Sequence, residues 1–326
     1  MRYLKNPNTN PYYNMAFDEY CLENLAIDEP VFYLWQNQPA VIVGLNQEVN
    51  TEVNLEYLEK NGIALVRRVT GGGAVYHDLG NLNYTIVGPS EDLERDYPEY
   101  ASLMMKALQK LGVPANLSGR NDILVEGRKV SGFAKRVCKN RLMVHGTLLY
   151  KVDLDVLSQV LNPSATKLQS KGIASVRSRV ANLCDYLPEI PDIQSLSQRL
   201  EEILSRNYSD TECKLSDADL ANIQHLSDEK FARWEWNYGR SPKATLTHSA
   251  RLVCGTVEIH LTLAENRIST CCFGGDFLGN LPVTDLEAAL QGVIYNPESV
   301  REHLSSFTIS NYFDGVAMDD LIDIMF

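Results

Sequence analysis

Three consecutive glycines, Gly71–Gly73, lie between two segments that both have the composition of β-strands, and this restricts the folds open to the chain. The segment "IALVRRV" precedes them and "NLNYTIVG" follows shortly after. A P-loop requires G-x-x-x-x-G-K-[ST] and a dinucleotide fingerprint requires G-x-G-x-x-G, each leading into a helix, and neither spacing is present. The glycines therefore predict a strand–loop–strand unit whose backbone a ligand can approach closely, without help from a helix dipole.

Two further stretches predict β-hairpins. The runs "PVFYLWQ" and "AVIVG" are split by Asn37–Pro39 and have the form of a hairpin-like pair. The segment "DILVEGRKVSG" predicts a hairpin that turns at Glu126 and Gly127. Because side chains alternate along a strand, we expect Lys129 and Ser131 to share one face of its second arm.

The first helix is predicted over "NMAFDEYCLENLA". Asn14 has the side chain of a helix cap, and Asp18 and Glu19 favour the positive N-terminal end of a helix. A clear amphipathic helix follows in "PEYASLMMKALQKLGVP". Strands and helices thus follow each other along the chain in an irregular order.

The stretch "NYGRSPKATLTH" predicts a linker, because glycine, serine and proline cluster in it. We place a domain boundary near Ser241 to Lys243, which divides the chain into residues 1–242 and residues 243–326. The 326 residues and the 44% hydrophobic content are enough for one large core and a smaller one.

Charge and cysteine content limit the class of protein. The net charge of −12 argues against nucleic acid as the main partner. No apolar run approaches the roughly 18 residues of a membrane helix, so no membrane partner is expected. Seven cysteines without a C-x-x-C pair indicate free thiols in a reducing compartment. These features predict a soluble cytoplasmic protein.

Several polar residues near the glycines are candidates for anion binding. Arg68 lies three positions before Gly71 and could neutralise a phosphate, and Lys129 lies in the middle of a strand. Asn121 and Asp122 carry oxygen ligands of the kind that Mg²⁺ prefers. The loop Lys167–Arg179 could close over an anion and exclude water. Each feature also has an ordinary structural explanation: a tight bulge for the glycines, a solvated side chain for Lys129, a simple turn for Asn121 and Asp122, and a solvated basic loop for Lys167–Arg179. The residue types leave both the functional and the structural explanation open.

Five motifs occur in one order along the chain: "RRVTGGGAVYHDLGNLNYT", "GRNDILVEGRKVSG", "HGTLL", "KGIASVRSRV" and "WEWNYG". This order resembles the lipoate–protein ligases of the biotin and lipoate ligase superfamily. The similarity begins at "YYNMAFDEY" and continues through "GTVEIHL" and "LEAALQGVIYNPESV", so it covers nearly the whole chain.

The resemblance implies a fold and a reaction. The fold would be α/β (α+β), with a large catalytic domain of mixed β-sheets flanked by helices and a small α+β C-terminal accessory domain. Such ligases activate lipoate with ATP and Mg²⁺ to lipoyl-AMP, and then transfer the lipoyl group to a lysine of an acceptor protein. The expected acceptors are lipoyl domains of 2-oxo-acid dehydrogenase acyltransferases or the glycine cleavage carrier protein. We expect a monomer.

The resemblance also implies roles for individual residues. Lys129 would bridge the carboxylate and the α-phosphate, Arg68 would bind phosphate, and His77 would lie near the reacting acyl group. Asn121 and Asp122 would lie on the phosphate side, with Asp122 as metal ligand, and Ser131 belongs to the same lysine motif.

The remaining implied contacts fall into four groups, namely Gly73, Ala74, Val75 and Tyr76 along the nucleotide; Gly71 and Gly72 at the entry of the lipoyl arm; Trp35, Val43 and Gly44 in the wall of the apolar tunnel; and Lys167, Lys171, Arg177 and Arg179 in a flap over the adenylate.

Two other functions share parts of this pattern. An octanoyl- or lipoyl-transferase of the same superfamily uses a cysteine thioester and no ATP, and Cys138 is the candidate because Arg136 and Lys139 lie beside it. A non-enzymatic lipoate carrier would keep the pocket and release no pyrophosphate. The intact Lys129 motif and the C-terminal segment favour the ligase.

Overall fold

The computed structural model describes residues 1–25, 27–161, 179–205, 212–238, 246–264 and 266–326. The strands of these ranges are β1 Arg2–Leu4, β2 Val31–Trp35, β3 Ala40–Val43, β4 Ala64–Arg67, β5 Val75–His77, β6 Asn81–Pro89, β7 Ala115–Ser118, β8 Asp122–Val125, β9 Arg128–Cys138, β10 Arg141–Leu149, β11 Glu212–Cys213, β12 Leu246–Leu252, β13 Gly255–Ala264 and β14 Arg267–Gly275. The α-helices are α1 Pro11–Glu23, α2 Val49–Glu52, α3 Leu55–Asn61, α4 Leu93–Lys110, α5 Leu154–Val160, α6 Ile193–Ser205, α7 Asp217–Leu226, α8 Trp234–Asn237, α9 Thr284–Leu290, α10 Pro297–Leu304 and α11 Met318–Met325.

A large mixed sheet forms the centre of the molecule. Its eight strands have the order β11-β1-β2-β6-β10-β9-β8-β7. On one face, side chains of α4 and α6 complete a hydrophobic core with the sheet. On the other face, α1 packs against β2, β6 and β10. The predicted α/β architecture of mixed sheets flanked by helices is confirmed.

A second sheet, β4-β3-β5, holds the glycine loop between β4 and β5. The predicted hairpin-like pair of β2 and β3 is wrong, because β2 pairs with β1 and β6 in the large sheet and β3 pairs with β4 and β5. Every residue of β2 and β3 is buried. Both runs are continuously apolar, so the sequence has no alternation that would show which strands they join.

Helix α1 starts earlier than its sequence indicated. Asn10 is the cap, and its side chain accepts a hydrogen bond from Tyr12 N, whereas Asn14 lies inside the helix and is buried. Asp18 and Glu19 are consequently in the middle of the helix and are also buried, so they do not stabilise its N-terminal end. Proline at the first helical position explains the earlier start.

The hairpin of β8 and β9 is confirmed. Glu126 and Gly127 have φ values of 50° and 78°, as a two-residue turn between antiparallel strands requires. Ile123 pairs with Ser131 and Leu124 pairs with Lys129, so the register shifts by one residue at Val130. This β-bulge breaks the simple alternation that we expected for Lys129 and Ser131.

A third sheet, β12-β13-β14, packs with α9, α10 and α11 around a separate hydrophobic core that spans residues 254–325. The predicted boundary between residues 242 and 243 lies outside the described residues. All seven cysteines are described and none of them forms a disulfide. None of the described helices is long and apolar enough to cross a membrane.

The C-terminal part contacts the glycine loop through backbone atoms. Gly72 N donates a hydrogen bond to Phe277 O at 3.1 Å. A Cβ atom on Gly71 would lie 2.4 Å from the same carbonyl oxygen, so only glycine permits this approach. The conformation of the loop therefore depends on residues about 200 positions later in the chain.

Candidate active site

A cleft with a volume of about 120 Å³ lies between the large sheet and the small sheet. The residues that line it are Met15, Trp35, Ile42, Arg68, Gly73, Ala74, Val75, His77, Asn83, Asn121, Lys129, Gly132, Phe133, Ala134, His145, Gly146 and Thr147. Eight of these are candidates from the sequence: Trp35, Arg68, Gly73, Ala74, Val75, His77, Asn121 and Lys129.

The floor of the cleft is one row of residues across the large sheet. Trp35 pairs with Asn83, and Asn83 pairs with Thr147, in strands β2, β6 and β10. Thr147 Oγ1 lies 3.2 Å from Gly132 N in β9, which continues the row. The cleft therefore extends across four strands, from an aromatic end at Trp35 to Gly132.

Lys129 occupies the end of the cleft at Gly132. Its Nζ lies 2.7 Å from Asp122 Oδ1, and a Cβ atom on Gly132 would lie 2.6 Å from that Nζ. The bulge beside Lys129 turns the side chain towards Asp122 on the neighbouring strand. A compact ammonium group next to a carboxylate suits the recognition of anions that move during a reaction.

The chain that follows the predicted flap runs beside Lys129. Val180 forms a parallel bridge with Lys129, and Ala181 N donates to Lys129 O at 2.9 Å. Arg179 is half-buried, whereas Lys167, Lys171 and Arg177 lie outside the described residues. The described chain that begins at Arg179 thus passes next to the candidate catalytic lysine.

Arg68 holds the glycine loop in shape. Its Nη2 donates to Gly71 O at 2.6 Å and to Gly73 O at 2.9 Å, and its Nη1 donates to Ile42 O. Desolvation, together with the charge of the neighbouring Arg67, lowers the pKa of Arg68 to about 10. Backbone carbonyl oxygens therefore accept most of the hydrogen bonds that the guanidinium donates, although Arg68 also borders the cleft.

Arg67 has a structural role. It is fully buried, and its guanidinium donates to backbone carbonyls that include Gly44 O at 2.9 Å and Asn237 O at 3.0 Å. The motif "WEWNYG" is thereby fixed to β4, because Trp236 Nε1 also donates to Arg67 O.

His77 is a neutral imidazole with a defined tautomer. Asn14 Nδ2 donates to two backbone carbonyls and to Asn37 Oδ1, which fixes the orientation of both amides. Asn37 Nδ2 therefore donates to His77 Nδ1 at 3.0 Å, and the ring proton is on Nε2. Burial, with smaller contributions from the charges of Arg68 and His145, lowers the pKa of His77 to about 3.

A buried hydrogen-bond chain that sequence reasoning missed connects the loop to the sheet. Arg68 Nε donates to Thr70 Oγ1, which lies 2.8 Å from His145 Nε2. His145 Nδ1 lies 2.6 Å from Asp18 Oδ2, and Asp18 Oδ1 accepts from Tyr33 and Thr85. The sequence feature that could have indicated a buried carboxylate is the pair of acidic residues inside the apolar run "MAFDEYCL".

Two matches to known protein families identify the family of this chain. Residues 10–205 match the family described as the lipoyl protein ligase A/B catalytic domain, which covers more than half of the chain. Residues 241–325 match the family described as the bacterial lipoate protein ligase C-terminus.

The chain belongs to the lipoate–protein ligase family.

Curated relatives of this ligase family match over the full length. Lipoate-protein ligase LplJ of Bacillus subtilis is 38% identical over 331 residues, and lipoate–protein ligase 1 of Staphylococcus aureus is 39% identical over 327 residues. Both alignments cover 100% of this chain and 100% of the relative.

Solved structures show the same fold. LipL1 of P. falciparum in complex with lipoate is 24% identical, with a TM-score of 0.79 over 99% of this chain and 98% of that chain. A Thermoplasma acidophilum bipartite lipoate protein ligase, studied with its E2 lipoyl domain, is 31% identical, with a TM-score of 0.66 over 75% and 98% of the two chains. Lipoate-protein ligase A bound with ATP is also 31% identical, with a TM-score of 0.62 over 73% and 98%.

Within this ligase fold, the predicted tunnel residues lie in different places. Trp35 lines the cleft, whereas Val43 packs into a core on the other side of the small sheet. Ile42 faces the cleft in its place. The glycine loop packs directly against Gly44, because a Cβ atom at Gly44 would lie 2.0 Å from Gly72 O.

Other candidates lie behind the wall of the cleft. Gly71 borders a small groove against the C-terminal part, and Gly72 is hydrogen-bonded to that part. Tyr76 is buried in the core next to α5, and Ser131 is fully buried. Alternation along β5 explains why Val75 and His77 face the cleft and Tyr76 does not.

Asn121 and Asp122 lie beside Lys129 and could meet a cation. Asn121 Nδ2 donates to Phe133 O at 2.7 Å, so the side-chain oxygen is the atom that faces a ligand. One carboxylate and one amide oxygen, with phosphate oxygens and water, fit Mg²⁺. Among the described residues, no group of three His, Cys, Asp or Glu side chains forms a metal cluster.

Cys138 lies at the far end of β9, where it pairs with Arg141. It packs against the core under α1 and is not among the residues that line the cleft. Six residues separate it from Gly132 along an extended strand, which is roughly 20 Å. This position does not suit the nucleophile of a thioester mechanism.

Proposed function

We propose that this chain is an ATP-dependent lipoate–protein ligase that forms lipoyl-AMP and transfers the lipoyl group to a lysine of lipoyl-domain proteins. Full-length identity of 38% and 39% to curated lipoate–protein ligases supports the reaction. Homologous ligase structures hold ATP and lipoic acid, at 31% and 30% identity.

The observation that carries the proposal is the position of Lys129 at one end of a long, largely apolar cleft, 2.7 Å from Asp122. An amphiphilic acid fits such a cleft with its carboxylate at Lys129 and its apolar part towards Trp35. The lysine then lies where the carboxylate meets the α-phosphate of ATP.

In the first step, a carboxylate oxygen of lipoate attacks the α-phosphorus, and the bond to pyrophosphate breaks. Two anions have to be brought together, and the positive charge of Lys129 offsets their repulsion. The backbone of Gly73, Ala74 and Val75 borders the cleft and can approach the nucleotide closely. The contribution of the protein is therefore positioning and electrostatics.

Asn121 and Asp122 would hold Mg²⁺ on the phosphate side of Lys129. When it is bound, the ion neutralises phosphate charge. We propose that Arg68 also contacts a phosphate, in addition to its main role of holding the glycine loop in shape.

In the second step, the amine of the acceptor lysine attacks the acyl carbon, the bond to AMP breaks, and an amide forms. The attacking amine must be deprotonated, and desolvation beside Lys129 lowers the pKa of an amine. His77 stays neutral and buried, so it adds no competing charge to the cleft. We propose that Arg179 contributes to the binding of the adenylate, because Val180 and Ala181, which follow it, lie beside Lys129.

We propose residues 1–242 as the catalytic domain and residues 243–326 as the accessory domain of a monomer. The family matches over 10–205 and 241–325 and the separate core of 254–325 support this division. Lipoyl domains of 2-oxo-acid dehydrogenase acyltransferases are the proposed acceptors, with the glycine cleavage carrier protein as a second candidate. A homologous ligase was studied with an E2 lipoyl domain.

Pyrophosphate release tests the proposal. The purified protein is mixed with ATP and Mg²⁺, with or without lipoate, in the absence of an acceptor. Lipoate-dependent pyrophosphate and a bound lipoyl-AMP are the expected products. Release that does not depend on lipoate would contradict the proposal.

A further inference from the structure

Two side chains in the wall of the cleft have buried nitrogen atoms without a hydrogen-bond partner among the described residues: His77 Nε2 and Asn83 Nδ2. Nearly all buried polar groups in folded proteins are hydrogen-bonded, and an unpaired one destabilises the fold. Two such atoms in the wall of one ligand site indicate that the ligand supplies acceptors.

Both groups are donors. Asn37 donates to His77 Nδ1, so the neutral ring carries its proton on Nε2. Asn83 Oδ1 accepts from Asn81 Nδ2 at 2.8 Å, which leaves the amide N–H groups of Asn83 to be satisfied. The matching ligand atoms are therefore acceptors.

The donors lie far from the charged end of the cleft. Asn83 belongs to the row that runs from Trp35 through Thr147 to Gly132, where Lys129 Nζ lies. Adjacent strands are about 4.8 Å apart, so Asn83 is two strands, or roughly 10 Å, from Gly132. His77 lies at the same end, since its ring centroid is 6.1 Å from that of Trp35, whereas the family resemblance implied a position near the reacting acyl group.

This separation matches one part of the proposed substrate. Four methylenes join the carboxyl carbon of lipoate to its dithiolane ring, which places the sulfurs on the order of 8 Å from the carboxylate. The two sulfurs are weak acceptors, and an all-carbon chain has no acceptor at this distance.

We propose that His77 and Asn83 are specificity-determining residues that select a sulfur-containing ring over an all-carbon acyl chain. The inference rests on the proposed function, because it assumes that the carboxylate lies at Lys129. Octanoate or a carbocyclic acid leaves both donors unpaired in the cleft, and this penalty is the basis of discrimination.

Binding measured without ATP tests the inference separately from catalysis. Calorimetry compares lipoate with 5-cyclopentylpentanoate, which has the same chain and a five-membered ring without sulfur. The wild-type protein should bind lipoate roughly tenfold more tightly. In Asn83→Leu and in His77→Phe the ratio should fall towards one, whereas Ile42→Val should weaken both acids by the same factor.

Equal affinity of the wild-type protein for the two acids would overturn the inference, and this measurement needs no variant. An unchanged ratio in a folded Asn83→Leu or His77→Phe protein would also overturn it. The formation of acyl-AMP from lipoate is assayed in parallel. Selective binding without any lipoyl-AMP would refute the proposed function and leave the selectivity established.

Discussion

Lys129 Nζ and Asp122 Oδ1 lie 2.7 Å apart across the β8–β9 hairpin, at the end of the cleft. A one-residue register shift at Val130 brings the two side chains together. The pair places a movable positive charge next to a carboxylate that suits Mg²⁺, where an acid and a nucleotide would meet.

Replacing Lys129 with methionine keeps the length of the side chain and removes the charge. We expect the formation of lipoyl-AMP to slow by at least about 100-fold, the scale that is typical for loss of a charge-stabilising donor. Single-turnover quench experiments with ATP and lipoate measure the rate. Lys106→Met, at an exposed position of α4, is the control and should keep the wild-type rate.

Asp122→Asn should raise the Mg²⁺ concentration at half-maximal rate by roughly tenfold, because the carboxylate is the charged ligand of the proposed metal site. A titration of the adenylation rate against Mg²⁺ measures this. The exposed Asp217→Asn is the comparison. The same Mg²⁺ dependence in both variants would remove Asp122 from the metal site.

The residues at the charged end of the cleft were easier to predict from the sequence than those in its walls. Lys129, Asn121 and Arg68 belong to specific motifs, so the family resemblance predicted them. Val43 was expected in the wall, but the alternation of β3 places Ile42 there. Two continuously apolar strands do not reveal which face is turned to a ligand, because both faces are buried.

Gly44→Ala tests the close contact between β3 and the glycine loop. The new Cβ would lie 2.0 Å from Gly72 O, so the loop must move, and we expect a loss of about 2–3 kcal/mol in the free energy of unfolding. Gly73→Ala is the matched control for stability, since no atom lies within 4 Å of its Cβ position. Urea denaturation of both variants measures the difference, and equal midpoints would contradict the contact.

Asp18→Asn tests the buried chain that joins Arg68, Thr70 and His145. Asp18 accepts from Tyr33 and Thr85 and lies 2.6 Å from His145 Nδ1, so the loss of its charge should destabilise the fold by about 2–3 kcal/mol. Thermal unfolding compared with the exposed Glu91→Gln measures the effect. A melting temperature equal to that of Glu91→Gln would show that the chain contributes nothing to stability.

His77 should make stability depend on pH. Its pKa is lowered from 6.5 to about 3 by burial, so below pH 6.5 the unfolded chain binds a proton that the folded protein does not bind. The contribution of this pKa difference to the free energy of unfolding is complete above pH 6.5. It is lost as the pH falls towards 3, with a slope of up to about 1.4 kcal/mol per pH unit. His77→Gln cannot titrate and should show a shallower loss between pH 6.5 and pH 4 in urea denaturation. Parallel curves for the two proteins would contradict the lowered pKa.

The buried hydrogen-bond chains were harder to predict than the motifs. The sequence indicates that Asp18 is a charge near a helix start, because Asn14 is the apparent cap. The actual start at Pro11 moves Asp18 into the helix interior, and its partners come from β2, β6 and β10. Partners from strands far apart in sequence depend on the order of strands in the sheet, which a single sequence does not specify.

ATP-dependent lipoyl transfer is tested by the intact mass of a purified lipoyl domain after incubation with the protein, ATP, Mg²⁺ and lipoate. We expect a gain of one lipoyl group that requires ATP, is absent when the target lysine of the domain is replaced by arginine, and persists with Cys138→Ala but not with Lys129→Met. A gain of the acyl group from a thioester donor without ATP, abolished by Cys138→Ala, would contradict it.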